Sequence, residues 1–556
     1  MNVMARRKNY VRNAVSAVNA KLSIKAASLV LASSTLVSAL LGIFRDRWLN
    51  SMYYDTYPAG LDAYTAAFTV PDFLFFIITS GALSVTFIPI LNERLVAKNK
   101  DEAWELSSST LNFLALLCLI ASVIIIVFAD PLVRYIVAPG LNESSMSLAI
   151  SMMRVIAINP FLFSITTVLN SMQQAVGRFV FCAAAPALYN IGIIVGILSF
   201  TKGINIFGIQ VFEGGIMGVA IGVVFGALLQ LIVSVIGLIG LGFDYNFKIN
   251  MKNKGFRTVL RLLPSRSLDQ GIDYVTGIFN TNLASRMGEQ SIRAFQQANS
   301  LQAMPVNLIG VAISTAFFTK LSQDAARKDQ KAFMETFRRA LRTILWIALP
   351  VASVAFFARG YVVNFIKNGG DPKIASILGS FVVAIVCGSV FHIASRGFYA
   401  RQDTKTPLTI SVITFILQSS VMFGLFLLGF GPEGLAYAIS FGTLFEASTL
   451  LIFQNRAMDH QLFNKDFWHS VTRIIISAFV AGIACYIMTR VMPLRSSNNS
   501  FFSTFPKFCM ITAVSFVVYL ITCWALRVEE AKAVVAYVKK ILFNNNLFKV
   551  TPKNKK

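Results

Sequence analysis

Five ionisable residues stand where an apolar chain should carry none. Arg45, Asp46 and Arg47 follow an apolar run with no polar spacer, Asp62 opens the next apolar segment, and Asp72 sits inside it beside Pro71. A charge near the middle of a membrane helix costs roughly 2.5–3.5 kcal/mol on insertion scales, so such a residue faces a partner or a water-filled cavity. Pro71, with Gly60 and Gly81 further off, loosens the backbone where a cavity-lining helix would bend. The stretch from Ser38 to Pro89 is therefore read as lining a substrate cavity. The competing reading makes Arg45 to Arg47 interfacial anchors and pairs Asp72 with a nearby arginine.

The elements that must position these residues are membrane helices. Of 556 residues, 55% are hydrophobic and only 14% charged, with 48 Phe and a mean hydropathy of +0.65. Soluble proteins run near 25% charged, so the chain is an all-α polytopic membrane protein. The net charge of +24 follows helix ends and alternate loops and carries no nucleic-acid-binding motif. Cys118, Cys182, Cys387, Cys485, Cys509 and Cys523 all fall in apolar segments without metal-ligand spacing, and read as small buried hydrophobes. His392 lies in a membrane segment, where a packing role outweighs a proton relay.

Apolar windows long enough to span a bilayer predict fourteen helices, at 24–44, 63–90, 105–129, 147–170, 179–200, 215–242, 258–285, 292–319, 339–358, 374–398, 407–429, 434–454, 472–492 and 505–526. The loops at 92–103, 248–255, 320–342 and 455–473, with both basic termini, hold most of the Lys and Arg. An even span count then puts both termini in the cytoplasm. The segment 529–556 is expected to be an amphipathic helix on the inner leaflet with a basic end.

The chain also repeats itself. Phe128-Ala129 recurs as Phe357-Ala358, Asn170 to Gln174 falls over Tyr399 to Asp403, and Ala82-x-Ser84-x-x-Phe87 falls over Ala312-x-Ser314-x-x-Phe317, all at a spacing of roughly 229–230 residues. A consistent offset predicts duplication of a six-helix unit and two lobes around a central cavity, with helices 13 and 14 added. The expected organisation is a basic segment 1–23, a first lobe 24–242, a linker 243–257, a second lobe 258–454, the added pair 455–527 and a tail 528–556.

The motif SRGFYARQDTKTP at 395–407, with LLGIFRD at 40–46, DAYTAAFTVPDFL at 62–74, GALSVTFIPIL at 81–91 and LNSMQQAVGRFVFCAAAPALYNIG at 169–192, resembles the MurJ (MviN) lipid II flippase family of the multidrug/oligosaccharidyl-lipid/polysaccharide exporter superfamily. The resemblance implies transfer of the undecaprenyl-diphosphate-linked peptidoglycan precursor to the outer leaflet of the bacterial cytoplasmic membrane, with helices 13 and 14 bordering a lipid groove. It assigns the diphosphate contact to Arg45, whose guanidinium presents a bidentate fork. Asp46, Arg47, Asp62 and Asp72 join it as substrate-site residues that hold arginines in place or read the sugar and peptide. Gly42, Gly81, Arg178, Arg396, Gln402, Asp403 and Pro407 are assigned to turns and gates. Asp269 and Asp273, with Asn280, offer oxygens for a coupling cation, Na+ or H+; pairing of Asp269 with Arg266 is the alternative.

The departures point the other way. Family members carry cations where this chain has Ala39, Phe75, Phe76 and Ser300. Arg47, Arg266, Arg286 and Arg293 are the substitutes on offer, although Arg286 and Arg293 stand near a helix end and read equally as interfacial. No phosphate loop for ATP is present, so no cofactor is expected and a membrane potential or an ion is the energy source. Expected partners are membrane lipids and the lipid-linked precursor, with cell-wall synthesis proteins as further candidates and no nucleic acid. A related exporter of another undecaprenyl-linked saccharide, a multidrug antiporter on the same fold and a non-transporting scaffold remain as alternatives. No nucleophile–base set marks an enzyme.

Overall fold

The computed structural model describes residues 17–19, 21–80, 87–97, 99–206, 209–494 and 500–532. Gly81 and the tail beyond residue 532 lie outside them. The chain separates into two compact units, Met1–Arg293 and Ala294–Lys556. Long apolar segments become helices because hydrocarbon offers no partner for backbone N–H and C=O groups, and a helix satisfies them within itself.

The first unit opens with α1 (Ile24–Tyr53), α2 (Pro58–Ala67) and α3 (Thr69–Phe75), the last running into a π-helical turn at Phe76–Ser80. Helix α4 (Ile88–Val96) and the long α5 (Lys100–Pro131), which ends in a second π-helical turn at Leu132–Val137, lead to α6 (Glu143–Ile156), α7 (Asn159–Ala175) and α8 (Val180–Leu198). A short antiparallel pair, β1 (Ile204–Ile206) and β2 (Ile209–Phe212), fills the long connection before α9 (Met217–Ile236) and α10 (Lys254–Ser285). Phe87, Leu91, Trp104, Leu106, Met172 and Phe256 form the core beside α4 and α5.

The second unit takes most of α11 (Ser291–Pro305), whose π-helical continuation Val306–Val311 leads into α12 (Ala312–Ala326). Then follow α13 (Gln330–Phe357), α14 (Arg359–Asn364), α15 (Pro372–Ser380), α16 (Val382–Tyr399), α17 (Lys405–Leu427), α18 (Pro432–Arg456), α19 (Lys465–Val491) and α20 (Phe501–Ala525). Its largest core cluster is built on Phe333, Phe337, Ile344 and Ile393. The terminal pair α19 and α20 is fastened to α13: the Tyr519 hydroxyl donates to the Trp346 carbonyl at 2.6 Å, and Arg342 bridges Glu529 and Glu530.

Local sequence sets where the helices begin. Asn142, Asn253, Asp329, Asp371 and Asn464 each accept the backbone N–H three residues on, at 2.8–3.1 Å. A cap of this kind contributes about 1 kcal/mol by satisfying a donor the helix leaves open. Between α8 and α9 the contact is glycine on glycine. A Cβ on Gly192 would stand 2.2 Å from the Gly226 Cα, and one on Gly196 2.5 Å from the Gly222 Cα, so these two helices meet through small residues four apart.

Three expectations change. Thirteen helices among the described residues are long and apolar enough to cross a membrane. The remaining one, expected at 258–285, forms as the 32-residue α10 but carries Lys254, Arg257, Arg261, Arg266, Asp269 and Asp273 along its length. Its partners are the α3 region, α5 and the two π-helical turns of the first unit. Helix 1, expected to end at residue 44, continues to Tyr53, so Arg45 to Arg47 lie inside a helix and not at its exit. The sequence repeat has a structural counterpart: the π-helical turns at Phe76–Ser80 and Val306–Val311 recur at the same offset. Of the six cysteines, all unpaired, Cys509 is exposed rather than buried.

Candidate functional site

Arg45 and Asp46 of α1 sit in a compact polar cluster in the first unit. Arg45 donates from Nε and Nη2 to Asp46 Oδ1 at 3.3 and 3.2 Å, and from Nη1 to Asn190 Oδ1 of α8 at 3.1 Å. Asn190 is itself fixed, its Nδ2 donating to the carbonyl and hydroxyl of Ser38 at 3.2 Å each and to the Pro186 carbonyl at 3.3 Å. Gly42, one turn before Arg45, leaves room over this amide: a Cβ there would stand 3.9 Å from Asn190 Oδ1.

A second arginine enters from the start of α11. Arg293 is 5% exposed, and its Nη2 reaches Asp46 Oδ1 at 3.4 Å and Asn50 Oδ1 at 2.9 Å, with Nε at 3.1 Å from the same Asn50 oxygen. The interfacial reading of Arg293 is thus overturned. Asp62 explains the placement: its Oδ1 accepts the Arg293 backbone N–H at 2.8 Å, so a carboxylate meets the positive end of α11 and pins the residue beside α1. Asp62, 2% exposed, therefore acts on a helix end.

The two arginines differ in what they leave open. Arg293 is enclosed, whereas the Arg45 side chain keeps 25% exposure. Arg45 spends three of its five N–H groups on Asp46 and Asn190, which leaves one on each terminal nitrogen. A guanidinium held in place with N–H groups to spare can donate charge-assisted bonds to phosphate oxygens. Arg47, two residues and about 200° further round the helix, faces away from Arg45.

Asp72 lies on α3, where the helix has been interrupted at Phe68 and is about to widen into the π-helical turn. No hydrogen bond or ion pair joins its carboxylate to another described side chain, so the competing reading, a pairing with an arginine, finds no partner among the described residues. Aromatic residues follow it on the next turn. Phe76, one turn on, stacks on Tyr274 of α10 at 4.5 Å. Phe75 meets Phe163 edge to face at 5.4 Å, and Phe163 meets Tyr189 at 5.3 Å.

The turn residues settle into structural duties. Arg178 donates to the carbonyls of Ile239 and Gly240, both at 3.2 Å, just past the end of α9. Arg396 donates to the Val311 carbonyl at 3.1 Å and to Thr315 Oγ1, closing the π-helical turn of α11–α12. Gln402 takes a left-handed conformation, φ 63°, to end α16. Asp403 starts α17 by accepting the Lys405 and Thr406 N–H groups at 3.1 and 3.0 Å, and Pro407 is buried in its first turn. Burial pushes the Asp403 carboxyl up, but bonds from Thr406 and Lys405 and the nearby Arg401 charge hold it below the usual carboxylate range.

Of the expected cation ligands, Asp273 is exposed on α10 beside Tyr274, Asn280 is buried, and the side chains of Asp269 and Arg266 are outside the described set. Among the described residues no three His, Cys, Asp or Glu cluster as metal ligands. The sequence reading missed Asn50 and Asn190, since an asparagine in an apolar helix carries no charge to flag it. A cavity of about 500 Å³ lies in the second unit between α13, α19 and α20, the last two being the helices that the resemblance sets beside a lipid groove, and is lined by residues such as Trp346, Pro350, Val354, Ala481, Thr512 and Phe516. The lining is almost wholly apolar and Phe516 is 46% exposed at its edge.

Comparison with known proteins agrees with this picture. "Probable lipid II flippase MurJ" of Buchnera aphidicola subsp. Schizaphis graminum is 26% identical over 497 residues, covering 88% of this chain and 94% of that protein. "Lipid II flippase MurJ" of Burkholderia cenocepacia is 26% identical over 439 residues, 77% and 82% of the two chains. Among solved structures, a lipid II flippase MurJ in an inward closed conformation matches with a TM-score of 0.71 at 22% identity, covering 92% of this chain and 100% of that one. An inward-facing multidrug resistance MATE transporter of the MOP superfamily matches at 0.64 and 17%, covering 78% and 98%. These structural likenesses speak to the fold. The family model described as lipid II flippase MurJ matches residues 58–520, well over half the sequence and inclusive of α2, α3, α8 and α11, and the chain belongs to that family.

Proposed function

We propose that this chain moves lipid II, the undecaprenyl-diphosphate-linked peptidoglycan precursor, from the inner to the outer leaflet of the bacterial cytoplasmic membrane by alternating access. The observation that carries the reading is Arg45: a guanidinium fixed on two sides by Asp46 and Asn190, with one N–H open on each terminal nitrogen. A diphosphate and its sugars cannot cross hydrocarbon unaided, and a charge-assisted bidentate grip replaces the water they give up. Arg293 supplies a second positive charge behind Asp46. The apolar cavity between α13, α19 and α20 suits the polyprenyl tail, which stays in an apolar phase throughout.

The basic connections support a topology with both termini in the cytoplasm. Transport needs no nucleotide cofactor in this reading. A membrane potential supplies about 2.3 kcal/mol per charge per 100 mV, and Na+ or H+ is the candidate coupling ion, with Asp269 and Asp273 as its candidate ligands. Enzymes of cell-wall synthesis are the expected protein neighbours. A related exporter for organic cations is the second reading, favoured by the aromatic surroundings of Asp72.

The test is complementation in a bacterium depleted of its own lipid II flippase, reading lipid II exposed on the outer leaflet. Restored exposure supports the assignment, together with its loss in Arg45→Ala at equal protein level. No exposure with the wild-type protein present in the membrane refutes it.

A further inference from the structure

A carboxylate at membrane depth is tolerated when a cation or proton neutralises it, and Asp72 has neither an arginine nor a lysine bonded to it. Its surroundings are chosen for a different sort of partner. On a helix, residues three and four apart share a face, so Phe75 and Phe76 stand one turn on from Asp72 on its own face. The first leads through Phe163 to Tyr189, and the second stacks on Tyr274. Tyr274 also feels Asp273, its neighbour on α10, so a second acid stands at the edge of the same aromatic group. Faces of aromatic rings attract cations, most of all where water is thin.

Position ties this group to the arginine cluster. Tyr189, reached from Phe75 through Phe163, directly precedes Asn190, which accepts from Arg45 Nη1. A molecule whose anionic part sits on the Arg45 fork therefore reaches the Asp72 group with whatever lies next to that anion. Metal coordination is a poorer match, since phenols and ring faces outnumber the carboxylates and no third acid joins them among the described residues.

Building on the lipid II reading, we infer that Asp72 and the rings about it form a subsite for an ammonium group carried on the same head group as the diphosphate. Arg45 reads the anionic half of the head group and Asp72 the cationic half. The aromatic pair Phe75 and Phe76, standing where family members carry cations, removes the like charge that would repel an amine.

The experiment compares two probes on the purified full-length protein in lipid nanodiscs: lipid II with a free side-chain amine on its peptide, and the same molecule N-acetylated at that amine. The wild type should bind the free amine about tenfold more tightly than the acetylated form, a size set by one desolvated cation–π and charge contact. Asp72→Asn should bind both probes as the wild type binds the acetylated one. Equal affinity of the wild type for the two probes overturns the subsite while leaving lipid II recognition in place, and needs no variant to fold. Equal loss of both probes in Asp72→Asn also overturns it, because a purely structural role weakens both. Failure of the wild type to bind either probe overturns the subsite and the lipid II assignment together.

Discussion

Asp46→Asn is the sharpest probe of the arginine cluster. One oxygen, Asp46 Oδ1, receives Arg45 at 3.2 and 3.3 Å and Arg293 at 3.4 Å, with side-chain exposures of 17% for Asp46 and 6% for Arg293. Replacing the carboxylate keeps the shape and one acceptor oxygen but leaves two guanidiniums sharing a neutral group. Removing one partner of a buried pair costs about 3–5 kcal/mol. Asn50 and Asn190 still accept from the two arginines, so the lower end, about 3 kcal/mol, is expected here. Thermal unfolding of purified wild type, Asp46→Asn, Arg293→Gln and the double variant, all in one detergent, measures it. Because Arg293→Gln removes the cation that Asp46→Asn strands, the double variant should be less destabilised than the sum of the single ones by at least about 1 kcal/mol. Lipid II exposure should fall with Asp46→Asn at equal protein level, since Arg45 loses two of its three tethers. Additivity of the two substitutions within about 0.5 kcal/mol would refute the view that Asp46 holds Arg293.

Three further outcomes follow from the fold and the two sites. Gly222→Ala sets a methyl 2.5 Å from the Gly196 Cα, so α8 and α9 must move apart, and a loss of about 1–3 kcal/mol in thermal stability is expected; an unchanged melting temperature contradicts the close approach. Thr512→Trp fills part of the 500 Å³ cavity and should slow transport of long-chain lipid II more than of a short-chain analogue, as read in reconstituted vesicles; equal slowing argues against a tail site. Asp403→Ala removes the cap of α17 and should cost about 1 kcal/mol. Since the folded carboxyl titrates below its ordinary 3.8, the cap contributes fully above that value and is lost as the pH falls through the lower, folded one. The stability difference between wild type and Asp403→Ala should therefore shrink in strong acid, and a difference that grows there rules out this cap.

Sequence patterning alone determined the membrane class, most of the helices and the internal repeat, because lipid forces each long apolar run to satisfy its own backbone. Arg45, Asp46, Asp62 and Asp72 stood out in the sequence for the same reason: a charge in an apolar run has few inert explanations. What those charges do was decided by tertiary structure. Arg293 reads from its position as an interfacial residue near a helix end, and only folding brings it to Asp46, held by a backbone bond to Asp62 that no spacing rule foretells. Asn50 and Asn190 complete the cluster without a charge to announce them. Asp72 was read as lining a cavity, with an arginine partner as the competing reading; the fold gives it no such partner among the described residues and sets Phe75 and Phe76, on its next turn, against Phe163 and Tyr274. A one-dimensional pattern reports the cost of placing a group in lipid; which partner offsets that cost is a property of helices that meet only in the folded protein.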